Sequence, residues 1–234
     1  PRGVPIVKLR DAGMAPLIAD YVRYGVLHFQ RDFASYLAHE SDATWRKIPV
    51  IDKADWPVGV LGLGAIGAYV AQALAGDGFP VHGWSRSAKS LDGVSCHHGD
   101  TGLAALLRQV RSLVLLLPST ASTRHIMDAE ALAALPEGAS LINPGRGTLI
   151  DERALLDALG PGQQEGRLRG AILDAFTEEP LPRRNPLWAH PRVRITPHMA
   201  GPTSLREAID QVAEVLRAME NGDDIQTIDP QAGY

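Results

Sequence analysis

The chain has 234 residues, 45% of them hydrophobic and 21% charged, a composition typical of a soluble globular protein with a sizeable core. A net charge of −4 without a basic block argues against nucleic acid as a partner. Because Cys96 is the only cysteine and no signal peptide or membrane-length apolar run is present, we expect a cytoplasmic protein without a disulfide, a membrane partner or a bound metal.

The N-terminal part of the chain is predicted to form a short strand and a long helix. Residues 5–9 read as a strand, and residues 12–37 carry apolar side chains at helical spacing. Such a long apolar stretch fits either the core or a surface buried against a second subunit. A polar segment over residues 39–55 leads into the next strand.

A glycine-rich turn joins an apolar strand that begins at Val58 to a helix that continues to Leu74. In this setting the pattern Gly-x-Gly-x-x-Gly predicts a dinucleotide site, with a helix N-terminus that offers free N–H groups to phosphate. Gly62 permits a tight turn, Gly64 lets the backbone approach a pyrophosphate, and Gly67 lets helix and strand pack closely. The predicted cofactor contacts are Gly62, Leu63, Gly64, Ala65, Ile66 and Gly67.

The end of the second strand, predicted over residues 79–84, indicates which dinucleotide binds. NAD sites hold an acidic residue about 20 residues beyond the fingerprint, where it binds the ribose 2′-hydroxyl. Here Ser85, Arg86 and Ser87 stand in its place. Since these side chains donate hydrogen bonds to a 2′-phosphate, which a carboxylate would repel, we predict NADP in preference to NAD. The alternative is a solvated basic turn.

The rest of the chain alternates strands and helices, which predicts a Rossmann-type α/β fold: a doubly wound, mostly parallel sheet with helices on both faces. Asp151 is predicted to cap the helix that follows it. Further strands are expected over residues 112–117, 140–143, 168–173 and 193–196, and helices over residues 102–110, 129–135, 152–159 and 202–221.

Three further motifs follow strands, where ligands bind in open α/β sheets. The first places Arg146 between two glycines, where its guanidinium suits a carboxylate. The second runs from Asp174 to Glu179, and the third ends at His198. Each has a plainer explanation alone: a surface turn, a solvated loop charge, a capping or core histidine. Behind a dinucleotide fingerprint, they indicate one site.

With these motifs the chain resembles the D-isomer-specific 2-hydroxyacid dehydrogenase family. The resemblance rests on the glycine turn, on Asn-x-Gly-Arg-Gly at 143–147, on Asp-x-Phe-x-x-Glu-Pro-Leu at 174–181 and on Thr-Pro-His at 196–198. It extends from about residue 4 to the C-terminus. Residues 84–87, 185–193 and 232–234 are most similar to the A-type glyoxylate/hydroxypyruvate reductases within that family.

The resemblance implies NAD(P)H-dependent reduction of small 2-oxo acids to D-2-hydroxy acids. It implies that Arg146 orients the acid and that His198 gives a proton to the carbonyl oxygen. Glu179 pairs with His198 and keeps its ring protonated; it is chosen over Glu178 because the family's acid immediately precedes the proline. The further cofactor contacts that the resemblance implies are Asp174, at the nicotinamide carboxamide, and Pro118, Ser119 and Thr123, in a loop under the cofactor.

The resemblance also implies a domain organisation. Residues 1–11 look like a remnant of a flavodoxin-like substrate domain, most of which is missing, so we expect truncation or proteolysis rather than a natural short form. Residues 12–201 are the expected dinucleotide-binding domain, with a dimerisation arm over 12–55, and residues 202–234 return to the substrate domain. The expected assembly is a homodimer, in which Trp45 either reaches toward the partner's active site or packs in the interface.

Two other functions are compatible with the same fold. One is a non-catalytic, corepressor-like nucleotide-binding dimer, and the other is an inactive fragment that binds cofactor. The combination of Arg146, Glu179 and His198 argues against the first. Turnover of a 2-oxo acid separates both from the reductase.

Overall fold

A computed structural model describes residues 6, 7, 9, 11–162, 166–225 and 227 of the chain. Within them, seven strands form one parallel sheet: β1 (Val58–Leu61), β2 (Val81–Ser85), β3 (Val94–His98), β4 (Ser112–Leu115), β5 (Ser140–Asn143), β6 (Gly170–Leu173) and β7 (Val193–Ile195). The helices are α1 (Met14–Gln30), α2 (Phe33–Ser41), α3 (Ala65–Gly76), α4 (Gly99–Leu107), α5 (Ala129–Ala134), α6 (Glu152–Leu159) and α7 (Leu205–Asn221). None of the helices in this described part is long and apolar enough to cross a membrane.

The strand order is β3-β2-β1-β4-β5-β6-β7, so the chain builds outward from β1 in one direction and then from β4 in the other. The loops that follow β1 and β4 therefore lie side by side. The amide of Gly62 donates to the oxygen of Trp84 and that of Leu116 to the oxygen of Leu61, each at 2.8 Å. The change in direction of the strand order between β1 and β4 creates the crevice in which ligands bind to open α/β sheets.

Helices cover both faces of the sheet, which confirms the predicted doubly wound α/β fold. On one face α1 and α3 pack over Val60, Val114 and Ile142. On the other face Leu132 of α5 and Leu155 of α6 join a second core. Successive strand residues point to opposite faces, and the central strands are buried throughout because each face is covered.

Several element bounds shift by up to three residues, as for the helix predicted over 102–110 and observed at Gly99–Leu107, and two larger features of the predicted secondary structure are wrong. The long N-terminal helix is two helices, because Asp32 takes a left-handed conformation with φ of +55° between α1 and α2. Strand β3, which includes Cys96, was not predicted at all. The predicted strand over 5–9 lies largely outside the described residues. The predicted cap is confirmed: Asp151 Oδ1 accepts from the first amides of α6 at 3.0 and 3.1 Å.

A half-buried histidine pair joins β2 to β3 and should make stability depend on pH. His82 Nδ1 lies 3.2 Å from His97 Nε2. Burial, and then the charge of His97, lowers the pKa of His82 below its ordinary value of 6.5. His82 therefore becomes protonated at a higher pH in the unfolded chain than in the folded chain. Because protonation favours the unfolded chain, the free energy of unfolding should fall as pH drops below about 6.5.

We expect His82→Gln to reduce that fall, measured as the change in thermal unfolding midpoint with pH. His98→Gln, at an exposed histidine on the neighbouring strand β3, is the matched control and should leave the pH dependence unchanged. An identical pH dependence in His82→Gln and the wild type would contradict this expectation.

Candidate active site

The loop between β1 and α3 forms a cradle at the carboxyl end of β1. Gly62 has a φ of +105°, and a Cβ on Gly67 would lie only 1.7 Å from the oxygen of Gly62. Gly67 is therefore required for strand and helix to approach. Gly64 differs, because a Cβ there would meet nothing within 4 Å. The open space above Gly64, at the N-terminus of α3, fits a pyrophosphate.

The turn that follows β2 lies against this cradle. Lys89 Nζ donates to the backbone oxygen of Leu63 at 2.8 Å, which ties the two loops together. Ser85 is buried, and its Oγ donates to the oxygen of Ser87 at 2.8 Å, so this hydroxyl shapes the turn. Arg86 is exposed at the same turn.

The loop that follows β4 holds its own shape through Thr123. The hydroxyl of Thr123 donates to the oxygen of Pro118 at 2.6 Å and accepts from the amide of Thr120 at 2.9 Å. Ser119 Oγ lies 2.7 Å from the hydroxyl of Thr148, just beyond the Arg146 turn. The predicted loop residues therefore lie together, beside the next motif.

The Arg146 turn is built by Asn143, a fully buried residue at the end of β5. Its side chain accepts from the amide of Gly145 at 3.1 Å and donates to the oxygen of Arg146 at 3.0 Å. Arg146 is exposed at this turn, and its Nη1 donates to the oxygen of Gly145 at 2.8 Å. A Cβ on Gly147 would lie 1.9 Å from the carbonyl carbon of Phe176, so the turn rests directly on the loop that follows β6.

His198 and Glu179 form a hydrogen-bonded pair beside that loop. His198 Nδ1 lies 2.8 Å from Glu179 Oε2, while Oε1 accepts from the amide of Phe176 at 2.9 Å. Burial raises the pKa of Glu179, but the hydrogen bonds from His198 and Phe176 and the charges of His198 and Arg146 outweigh burial and lower it below 4.5. Glu179 is therefore a carboxylate at neutral pH, and it occupies Nδ1 so that Nε2 is the nitrogen left for a substrate.

Asp174 is almost fully buried, 1% exposed, between the ends of β6 and β7. Its Oδ1 accepts from the hydroxyl of Thr196 at 2.6 Å and from the amide of Met199 at 2.9 Å, and Oδ2 accepts from Ala200 at 2.8 Å. The structure thus gives this predicted cofactor contact a second task, holding the loop of His198. The contact of Thr196 with Asp174 was not predicted from the sequence, although Thr196 begins the Thr-Pro-His motif that indicated the site.

The comparison with known families identifies the family of the chain. The profile described as D-isomer specific 2-hydroxyacid dehydrogenase, NAD binding domain, matches residues 24–200. The chain belongs to this family. The motifs had predicted that membership, and the match confirms it. Among relatives of this dehydrogenase, glyoxylate/hydroxypyruvate reductase A from Salmonella typhi is 41% identical over 232 residues, which cover 99% of this chain and 73% of that relative.

Solved structures of the same family superpose closely on this dehydrogenase. A D-isomer specific 2-hydroxyacid dehydrogenase from Xanthobacter autotrophicus Py2, in complex with NADPH and MES, is 41% identical with a TM-score of 0.93, covering 99% of this chain and 95% of that one. An NADPH-dependent glyoxylate/hydroxypyruvate reductase from Sinorhizobium meliloti, in complex with NADP and sulfate, is 33% identical with a TM-score of 0.93, covering 99% and 74%.

Proposed function

We propose that this dehydrogenase reduces small 2-oxo acids of the glyoxylate and hydroxypyruvate type to D-2-hydroxy acids, with NADPH as the reductant. The observation that carries the proposal is the assembly, at one edge of the sheet, of the cradle above Gly64, the exposed Arg146 and the His198–Glu179 pair. The names of the Salmonella and Sinorhizobium relatives support the substrate class. NADPH oxidation in the presence of 2-oxo acids tests it.

The cofactor, when bound, supplies the hydride. Residues 62–67 would hold its pyrophosphate, and Arg86 with the turn of Ser85 and Ser87 would bind the 2′-phosphate. The preference for NADP predicted from this turn agrees with the NADPH and NADP complexes of two similar structures. The loop of Pro118, Ser119 and Thr123 would support the cofactor from below.

The side chains beside the crevice then bind the 2-oxo acid and give it a proton. Arg146 binds its carboxylate and polarises its ketone, since a guanidinium presents several donors in one plane. As the carbonyl carbon takes the hydride, His198 Nε2 gives its proton to the carbonyl oxygen, and Glu179 stabilises the imidazolium before that step. Asp174 Oδ2, which accepts one amide, would accept a second hydrogen bond from the nicotinamide carboxamide.

Gly64→Ala should weaken NADPH binding at least about tenfold without unfolding the chain. The residue has φ of −70° and open space around it, so an alanine fits the protein and competes only with the pyrophosphate. Fluorescence titration with NADPH measures the affinity, and the thermal unfolding midpoint reports the fold.

Two glycines of the same helix serve as controls. Gly76→Ala also meets nothing within 4 Å and should leave NADPH affinity unchanged. Gly67→Ala should lower the unfolding midpoint strongly, because the new methyl group would collide with the backbone of Gly62. Unchanged NADPH affinity in Gly64→Ala would contradict the assignment of the cradle.

The domain and assembly assignments are part of the proposal. The exposed apolar face of helix α7 supports its assignment as the element that packs against a substrate domain. The residues of this face, Leu205, Ile209, Val212, Leu216 and Met219, are 49–76% exposed. For the arm over 12–55, the exposed Tyr24, Phe33 and Leu37 support a homodimer. Trp45, fully exposed in this arm, would then contact the partner. Residues 1–11 fall mostly outside the described part.

A further inference from the structure

The backbone of the proposed acid is held in place by one buried carboxylate. His198 has a φ of +53°, a conformation that a residue with a Cβ rarely takes. Its amide donates to the backbone oxygen of Asp174 at 2.8 Å. The next two amides, of Met199 and Ala200, donate to the two carboxylate oxygens of Asp174. The loop that carries His198 therefore depends on where this carboxylate sits.

Two hydroxyl groups in series connect that carboxylate to helix α1. Thr196 Oγ1 lies 2.6 Å from Asp174 Oδ1, and because a carboxylate only accepts, Thr196 uses its single proton in this bond. The hydroxyl of Tyr21 lies 2.7 Å from the same Thr196 oxygen, so Tyr21 must be the donor. The direction of the series is therefore fixed, from Tyr21 through Thr196 to Asp174.

The surroundings of Tyr21 keep it in the donor state. Burial, the largest cause, and the charge of Asp174 raise the pKa of Tyr21 to about 12, against the lowering effect of the bond to Thr196. The phenol thus keeps its proton through the neutral pH range. Helix α1 is also packed tightly here, since a Cβ on Gly201 would lie 2.5 Å from Ile18 Cγ1.

We propose that Tyr21 is a positioning residue for proton transfer by His198. The proposal rests on the proposed function, because it requires His198 to be the acid. Tyr21 fixes the hydroxyl of Thr196, which fixes the carboxylate of Asp174. That carboxylate holds the amides after His198 and so aims Nε2 at the carbonyl oxygen. In this role Tyr21 acts only through Thr196.

Tyr21→Phe tests this role, because it removes one hydrogen bond and keeps the packed ring. We expect kcat for NADPH-dependent reduction of glyoxylate to fall about fivefold, the effect of one neutral hydrogen bond. The KM for glyoxylate should stay at the wild-type value, since Arg146 is untouched. The Kd for NADPH should change less than kcat does, since the cradle is untouched and Asp174 makes only one of the proposed cofactor contacts. The matched control is Tyr69→Phe, the same change at a 46% exposed ring on α3, which should keep the wild-type kcat.

A double-mutant cycle separates positioning from general packing. Thr196→Val breaks the series at its centre, so Tyr21→Phe should cause no further loss of kcat in that background. Thr196→Ser, which keeps the hydroxyl, should recover most of the kcat that Thr196→Val loses. If Tyr21→Phe fails to fold, this comparison of Ser with Val at position 196 carries the test, and equal kcat values in the two variants would overturn the role.

A failure of the positioning role can be distinguished from a failure of the proposed function. A wild-type kcat in Tyr21→Phe, or a loss that adds fully to that of Thr196→Val, overturns the positioning role and leaves the proposed function standing. A wild-type protein that oxidises no NADPH with any 2-oxo acid overturns both.

Discussion

His198→Asn should lower kcat by about 10²- to 10⁴-fold, the contribution of a well-placed general acid, while NADPH affinity stays unchanged. Asparagine is chosen because it tolerates the left-handed conformation that His198 takes, with φ of +53°, so the loop keeps its path. Without an imidazole, no group at this position delivers a proton to the carbonyl oxygen. Steady-state kinetics with glyoxylate and a fluorescence titration with NADPH measure the two quantities.

The matched control is His125→Asn, because His125 also has a left-handed backbone, with φ of +51°. It should keep the wild-type kcat. A loss of NADPH affinity in His198→Asn as large as the loss of kcat would show that His198 supports the structure of the crevice instead of transferring a proton.

Arg146→Lys should lower kcat/KM by about 10²- to 10³-fold, comparable to removing one donor from an oxyanion site. Lysine keeps the positive charge but concentrates it at one point, so it cannot hold a carboxylate and polarise a neighbouring ketone together. We expect both a higher KM and a lower kcat, since the guanidinium acts in binding and in the transition state.

Arg153→Lys is the control for this change, since Arg153 is 85% exposed on α6 and should tolerate lysine with no loss. Wild-type kcat/KM in Arg146→Lys would mean that a point charge suffices, and that substrate binding and reduction do not require a planar guanidinium.

The sequence predicted the central fold because the buried strands and the caps leave local signals. The apolar run of β4 and the carboxylate of Asp151 are examples, and both appear where they were expected. The break at Asp32 escaped prediction because helical spacing of apolar residues continues across it. Strand β3 escaped because an edge strand that includes Cys96 and two histidines lacks the apolar run of its neighbours.

The candidate site also has features that the sequence predicted and features that it did not. Motifs that follow strands could be found one by one, and the topology of a parallel sheet implied that they would meet. The orientation of side chains could not be predicted: the hydroxyl of Ser85 turns to Ser87. Nor could the bond from Tyr21 to Thr196, which joins positions 175 residues apart. The roles of Arg146, Glu179 and His198 stay predictions until the variants are measured.

The most direct test follows nicotinamide absorbance while the full-length protein is mixed with NADPH and, in turn, glyoxylate, hydroxypyruvate and larger 2-oxo acids. We expect NADPH to be consumed with at least one small 2-oxo acid, in equal amount to the D-2-hydroxy acid formed, and more efficiently than NADH. A protein that binds NADPH but oxidises it with none of these acids would contradict the proposed reductase and favour a non-catalytic nucleotide-binding role.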